Sequence, residues 1–395
     1  MNIITRYIFL ELAKVFSVTL FGLTLLLVIV VVGQEAMQMN LGLLPTLRLI
    51  PFVLPTALVF AVPGTMLFTV CMIFGRMSGD NEVVAAKSAG ISPMVLLRPA
   101  FALAFVVSLI AVWLNDLAYS WGQQGMQRVV IESVEEICYG MLRAQRSYSN
   151  PRFSIIVKDV EDRRLIRPII NFQASNDMPA LTLIAKEAEL SSNLEKGTLR
   201  LILTDCEIDA GNGIQGHFPG TIEREIPLTL ALTKDVGTGS PTTYAMRQIQ
   251  GEVERQEKLI TQLEQSMAAE IGFSLVTGNL DDMLEAVWDS RRWQLTKAHT
   301  RLHRLRTEPW RRWANGFSCL CFVLVGAPLA IRMRTSDLMT TFGLVFLPIL
   351  LVYYPFLAFG LDRAKAGELP PYAVWVANLI CVAIGVWLMR KVVRY

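Results

Sequence analysis

The chain has 395 residues, 53% hydrophobic and 18% charged, where a soluble protein of this size carries about a quarter charged residues. With a mean hydropathy of +0.42, that composition excludes an ordinary soluble domain and points to a chain built largely within a membrane. The net charge of +3, with no basic stripe interleaved by aromatics, argues against nucleic acid as a partner.

The charged residues are arranged in blocks. None occurs between Lys14 and Glu35, Arg48 and Arg76, Arg98 and Asp116, Arg312 and Arg332, Asp337 and Asp362, or Glu368 and Arg390. Each gap holds about 17 to 27 residues, the length a helix needs to cross a bilayer core about 30 Å thick. Three gaps precede a mostly polar block and three follow it. The predicted fold is an α-helical membrane protein of six transmembrane helices, three and three, around an inserted domain. Carriers driven by protons or sodium keep ionisable groups at mid-membrane; these gaps hold none, so the driving force is expected from outside the spans.

The first span, in residues 1–120 with the second and third, reads as a retained helix. Its apolar run is too long for a signal peptide, and Val28 to Gly33 offers no small-residue cleavage site before Glu35. Lys and Arg in the short loops set the orientation. Arg6, the Arg76–Lys87 loop, the Arg332–Arg334 loop and the Arg390, Lys391 and Arg394 tail share one face; the other holds only Arg48, Arg363 and Lys365. Both termini are therefore expected in the cytoplasm and the polar block outside. The loop after the second span, Gly75 to Pro93, predicts a short amphipathic helix over about 77–91. Asp80 is its expected N-cap, Glu82 and the alanines favour helix, and Gly90 followed by Pro93 ends it. Small residues such as Ala86 would let another backbone approach, although a plain interfacial connector fits the pattern too.

The block 121–240 begins the external part. Phe153–Val157, Leu165–Phe172, Leu181–Ala185, Leu199–Leu203 and Ile222–Leu230 read as strands between turn-forming clusters that include Gly211-Asn212-Gly213. Short strands at this spacing suggest an antiparallel sandwich or jelly roll. Over 241–308 the period becomes helical: Met246, Ile249, Val253, Gln256, Ile260, Leu263 and Met267, then Leu284, Trp288, Arg291, Leu295, Ala298, Leu302 and Leu305. A break at Gly278-Asn279, with Asp282 and Glu285 as a capping box, predicts an antiparallel helical hairpin. His299 and His303 share a helix face, but no third ligand accompanies them, so a solvated basic face is expected rather than a metal site. Trp310-Arg311-Arg312-Trp313 opens the segment 309–395, which holds the last three spans. Two tryptophans and two arginines at a span's edge fit an interfacial anchor; the arginines are also candidates to hold an anionic headgroup.

Cys71, Cys319, Cys321 and Cys381 fall in spans as small packing residues, whereas Cys138 and Cys206 could pair in an oxidising compartment. There is no G-x-x-x-x-G-K-[ST] sequence and no convincing catalytic constellation, so neither ATP hydrolysis by this chain, nor a cofactor, nor a catalytic residue is expected.

The loop Glu82-Val83-Val84-Ala85-Ala86-Lys87-Ser88-Ala89-Gly90-Ile91-Ser92 resembles the E-x-V/I-A-x-x-A-A-G-I-S signature of the LptF/LptG permeases, membrane subunits of the lipopolysaccharide exporter. Arg6-Tyr7, Ile184-Ala185-Lys186-Glu187-Ala188, Gly326-Ala327-Pro328-Leu329-Ala330-Ile331, Tyr353-Tyr354 and Gly367-Glu368-Leu369-Pro370-Pro371 with Trp375 and Asn378 resemble further family motifs in order. The resemblance implies six helices around a periplasmic β-jelly roll, in the bacterial inner membrane. It implies a second permease of the same type, an LptB-like ATPase dimer and an LptC-like periplasmic bridge as partners. The loop helix would be the coupling helix that contacts the ATPase, with Glu82 as its contact and Arg76, Asp80, Ala86 and Gly90 around it. Lipopolysaccharide or a related amphipathic lipid would be extracted from the membrane and passed through the jelly roll.

Two departures stand out. Family members often carry basic residues where the first helix leaves the membrane, and this chain has Gln34 and Glu35 there; Arg311 and Arg312 are candidate replacements. The predicted hairpin is also longer than the family's usual connection. The competing function is a non-transporting membrane scaffold that recruits envelope partners through its external domain.

Overall fold

A computed structural model of the chain describes residues 3–39, 43–132, 134–149, 153–161, 164–172, 181–193, 198–209, 215–227, 240–277, 286–333 and 338–394. It divides into two compact units, one comprising Met1–Leu27, Leu54–Trp121 and Ser240–Tyr395, the other Val28–Val53 and Gly122–Gly239.

The first unit is helical. Its elements are α1 (Ile3–Met39), α2 (Leu43–Gly79), α3 (Glu82–Ser88) and α4 (Pro93–Leu117), the first two continuing into residues of the second unit. After the strands come α7 (Met246–Thr277), α8 (Ala286–Met333), α9 (Leu338–Pro348), α10 (Tyr354–Ala366) and α11 (Val376–Arg394); α5 and α6 belong to the second unit. A π-helical turn, Ile349–Tyr353, joins α9 to α10. Among the described residues six stretches are long and apolar enough to cross a membrane: Ile3–Met37, Pro45–Gly79, Pro93–Met126, Trp288–Met333, Met339–Ala366 and Pro371–Val392. Each overlaps one charge-free gap of the sequence, and in chain order three precede the described strands and three follow.

α8 is the central helix, packing against α4, α7, α9, α10 and α11. It runs unbroken for 48 residues, so no break falls at 308/309, where the sequence suggests a domain boundary. Side chains of one core come from α1 (Ile8, Leu12), α2 (Met66, Val70, Phe74), α4 (Leu97, Ala100, Ala104) and α8 (Cys319, Val323, Ala327). A second core joins Leu67 and Cys71 of α2 to Cys321, Phe322, Tyr353 and Cys381; the four cysteines of the spans thus act as apolar packing groups. Three polar side chains between these helices are met by backbone partners. Ser78 Oγ donates to Ile331 O at 2.6 Å, Asn378 Nδ2 donates to Ala314 O at 3.0 Å, and Ser108 Oγ accepts from Leu320 N at 3.1 Å.

Small residues set the closest approach. A Cβ on Gly316 of α8 would lie 2.8 Å from Val112 N and 3.0 Å from Val112 Cα of α4, contacts that only a shift of the helices could relieve. Gly316→Leu is expected to cost about 1–3 kcal/mol by overpacking, read as a lowered unfolding temperature in detergent. Gly22→Ala, where a Cβ meets nothing within 4 Å, serves as the control and should leave that temperature unchanged.

α7 lies antiparallel on the first half of α8. The order of cross-links shows it: Glu257 pairs with Arg306 at 2.6 Å, Glu264 with His299 at 3.7 Å and Glu270 with Arg291 at 2.8 Å. Between them Val253, Ile260 and Leu263 meet Leu295, Ala298 and Leu302. Gln256, at a seam position, donates from Nε2 to Ala298 O at 3.1 Å. The Gly278-Asn279 break and the Asp282–Glu285 capping box lie outside the described residues.

The second unit opens with helices rather than strands, α5 (Gln123–Glu132) and α6 (Val134–Gln145). Eight strands follow among the described residues: β1 (Ser147–Ser149), β2 (Phe153–Ile156), β3 (Asp159–Glu161), β4 (Arg164–Ile166), β5 (Ile169–Phe172), β6 (Leu181–Asn193), β7 (Thr198–Asp209) and β8 (Gln215–Pro227). All pairings among the described residues are antiparallel, β6–β7–β8 forming consecutive long ladders while β4 and β5 share the other edge of β6. The run predicted as one strand over 165–172 is broken because Pro168 has no N–H for the ladder and Arg167 adopts φ 48°. On β6 the inward positions change from Leu183 and Ala185 to Ala188 and Leu190. On β7 they change from Leu201 and Leu203 to Cys206, next to a bulge against β8 where Asp205 adopts φ 50°. Such bulges bend a strand and re-aim its faces. Cys138, Tyr139 and Leu142 of α6 close the core against Ile155, Leu165, Ile170 and Leu203. Cys138 and Cys206 both lie in that core without a disulfide between them, and burial pushes the Cys206 thiol above its ordinary value. The Gly211-Asn212-Gly213 turn and residues 228–230 of the last predicted strand lie outside the described residues.

Candidate functional site

One end of the helical unit is organised around α3. Arg76, in the last turn of α2, pairs with Glu11 of α1 through Nη2 and Oε1 at 2.7 Å. The chain then turns through exposed Asp80, whose N–H returns to Arg76 O at 2.9 Å. The N-cap of α3 is Asn81 rather than Asp80. Asn81 sits at φ 60° and ψ 15° and makes no side-chain capping bond, since the left-handed turn needs a residue that tolerates positive φ. Val83 is buried and Ala86 half-buried against the helical core, so α3 is seated by that face. Glu82, Val84, Ala85, Ser88, Ala89 and Gly90 are exposed. Gly90 adopts φ +80°, a conformation that favours glycine, and its N–H is bonded to Lys87 O at 3.0 Å. Ser92 then caps α4, with Pro93 at its start. The five residues expected around the ATPase contact therefore share one segment, with Glu82 and a strip of small residues facing outward.

The second cluster lies 20 residues back along α8 from Arg332, a distance of about 30 Å. Arg312 is fully buried. It donates to Asp116 Oδ1 of α4 at 2.5 Å, to Thr242 O at 3.0 Å and to Tyr244 O at 2.7 Å. Asp116 Oδ1 also accepts from Met246 N at 2.9 Å, so it caps the start of α7 from a neighbouring helix, where negative charge is favourable. Arg311 donates through Nε and Nη2 to Glu308 Oε2 at 3.1 and 2.6 Å, and through Nη1 to Tyr119 OH at 3.3 Å. Its Cζ stands 4.5 Å above the Tyr119 ring. Both arginines proposed from sequence to meet a headgroup are thus engaged inside the protein, and the cluster fixes the start of the α7–α8 pair to α4. Trp310 and Trp313 beside them remain exposed, as an interfacial anchor requires.

Sequence reasoning missed Asp116, Tyr119 and Glu308. Glu308 was within reach, because it precedes Arg311 and Arg312 by three and four residues on one helix face. Asp116 stands 196 positions from Arg312, and no spacing rule spans such a separation. Among the described residues no group of histidine, cysteine or carboxylate side chains could hold a metal ion.

These features define a helical membrane protein that has, among the described residues, six helices long and apolar enough to cross a bilayer and an antiparallel β sheet. A family model described as lipopolysaccharide export system permease LptF/LptG matches residues 6–391. The chain belongs to that family and is, at that level, a transport component of the lipopolysaccharide export system rather than an enzyme. Membership also places it in a membrane system whose other components include ATPase and permease partners. Among curated proteins none matches.

Proposed function

We propose that this chain is one of two permeases in an ABC-type exporter that lifts lipopolysaccharide, or a related amphipathic lipid, out of the inner membrane. An LptB-like ATPase dimer supplies the work by docking on α3, with Glu82 as the charged contact and Ala85 and Ala89 as the close-approach surface. The observation that carries this reading is the family match over residues 6–391 together with an α3 whose Glu82 edge faces outward.

The termini and α3 lie in the cytoplasm in this reading, and the β domain, with a jelly-roll-like role, lies in the periplasm. A second LptF/LptG-type permease closes the lipid path. The exposed Val18, Phe21, Leu25 and Leu26 of α1 and the exposed Leu347, Leu350, Leu351 and Phe356 of the fifth span support such a neighbour, because those faces meet little of their own chain. From the path the lipid passes to the β domain and on to an LptC-like bridge.

Affinity purification of the chain from native membranes tests the proposal. A P-loop ATPase, a second permease and bound lipopolysaccharide are expected to co-purify. Recovery of envelope proteins without any ATPase would support the scaffold function instead.

A further inference from the structure

Beside α3 the unit holds a cavity of about 920 Å³, lined by Ser78, Val83, Val84, Lys87, Ser88, Ile331, Arg332, Lys391 and Val392. We propose that this cavity binds the phosphate headgroup of an anionic phospholipid.

Lys87 comes from α3, Arg332 from the last turn of α8 and Lys391 from the end of α11, so three chain-distant cations converge on one space. No carboxylate is in its lining among the described residues. Three helix C-termini (α2, α8 and α11) also point here. Each contributes roughly half a negative charge, which three full cations outweigh. Lys87 Nζ spends one donor on Val392 O at 3.3 Å, which aims the side chain across the cavity and leaves donors for a ligand. Ser78 Oγ is committed to Ile331 O, whereas Ser88 is exposed.

Depth and wall chemistry select a lipid over a free anion. The cavity sits where three apolar helices end, which is headgroup depth for a chain that crosses a bilayer. Lys391 Nζ stands 3.8 Å above the ring of Trp387, itself exposed, and Trp and Lys at one level mark the membrane interface. Val83, Val84, Ile331 and Val392 line the same space with aliphatic surface, suited to glycerol and the first acyl carbons. Basic pockets between the ends of transmembrane helices take anionic headgroups on these grounds. The inference depends on the function proposed above only for which leaflet the lipid occupies.

The purified full-length chain, in uncharged detergent, is titrated with dioleoylphosphatidylglycerol, dioleoylphosphatidylcholine and inorganic phosphate, and bound ligand is counted by native mass spectrometry. Phosphatidylglycerol is expected to bind more tightly than phosphatidylcholine. The triple change Lys87→Gln, Arg332→Gln and Lys391→Gln should weaken it on the order of 100-fold, while Lys391→Arg should retain it. Should the triple variant not fold, Lys391→Gln alone, which loses only its ring contact, is read in the same titration for a smaller drop.

Unchanged phosphatidylglycerol affinity in the charge-removed variants overturns the proposal. Equal binding of inorganic phosphate makes the cavity a free-anion site and overturns the lipid. Loss of ATPase co-purification with lipid binding intact shows an acidic protein surface as the occupant and overturns it too. Because lipid binding is read on the chain alone, the result is independent of whether the exporter assignment stands.

Discussion

Arg312→Ala is expected to lower the stability of the helical unit by about 3 kcal/mol, the lower end for breaking a buried ion pair. The lower end applies because Asp116 retains 31% of its side-chain exposure and water partly relieves it. The substitution removes three donated bonds at once. Asp116 keeps only the Met246 N–H, and the carbonyls of Thr242 and Tyr244 lose their donor. Glu308, 1% exposed, keeps its ion pair with Arg311 but loses the Arg312 charge 4.0 Å away. Arg312→Lys should fall between wild type and Ala, because a point charge cannot serve an α4 carboxylate and two loop carbonyls in fixed directions. The double change Asp116→Asn and Arg312→Met should recover part of the loss, since removing both charges avoids an unpaired one. Thermal unfolding in detergent without any lipid substrate reads this series. A headgroup-binding arginine would leave that temperature unchanged and alter only substrate-stimulated ATPase activity. Equal unfolding temperatures for wild type and Arg312→Ala would therefore remove the structural role.

The second large effect is expected at Glu82. Replacing it with Ala or Gln should weaken association with the ATPase by about 10- to 100-fold, the worth of one hydrogen bond to a charged group, and reduce export with it. Little stability should be lost, since a carboxylate in an exposed first turn contributes about 0.3–1 kcal/mol through the helix dipole. Asp80→Asn, in the preceding turn, should have a smaller effect. Pull-down of the ATPase by the purified variants separates these outcomes, and full recovery with Glu82→Ala would exclude α3 as the charged contact.

Much of this architecture is readable from charge spacing because a bilayer enforces it: an unpaired charge inside a span is so unfavourable that gaps in the charge pattern map the spans. The seam of α7 on α8 was equally legible, since Ile260, Leu263, Ala298 and Leu302 recur at helical spacing. Three features were not. Pro168 lies within an apolar run that reads as one strand, and only the ladder shows where its missing N–H divides β4 from β5. Asn81, not Asp80, caps α3 because backbone handedness at the turn outweighed side-chain capping preference. The Asp116–Arg312 pair joins distant segments, so Trp310-Arg311-Arg312-Trp313 looked like a surface motif when half of it is interior. At the α3 end, the sequence supplied the exposed Glu82 edge but not the convergence of Lys87, Arg332 and Lys391, which depends on how three helices end together.

The continuity of α8 has a mechanical consequence. A helix of 48 residues is a rod about 70 Å long, with one end beside α3 and the other carrying the partner of α7. Prolines at 309 and 328 confine easy bending to two points, about 28 Å apart along the axis. Between those points α8 behaves as a stiff lever, so a tilt of about 5° at one of them displaces the other by roughly 2.5 Å. Displacement at the α3 end therefore reaches the Arg311 and Arg312 cluster without any intermediate chain of contacts.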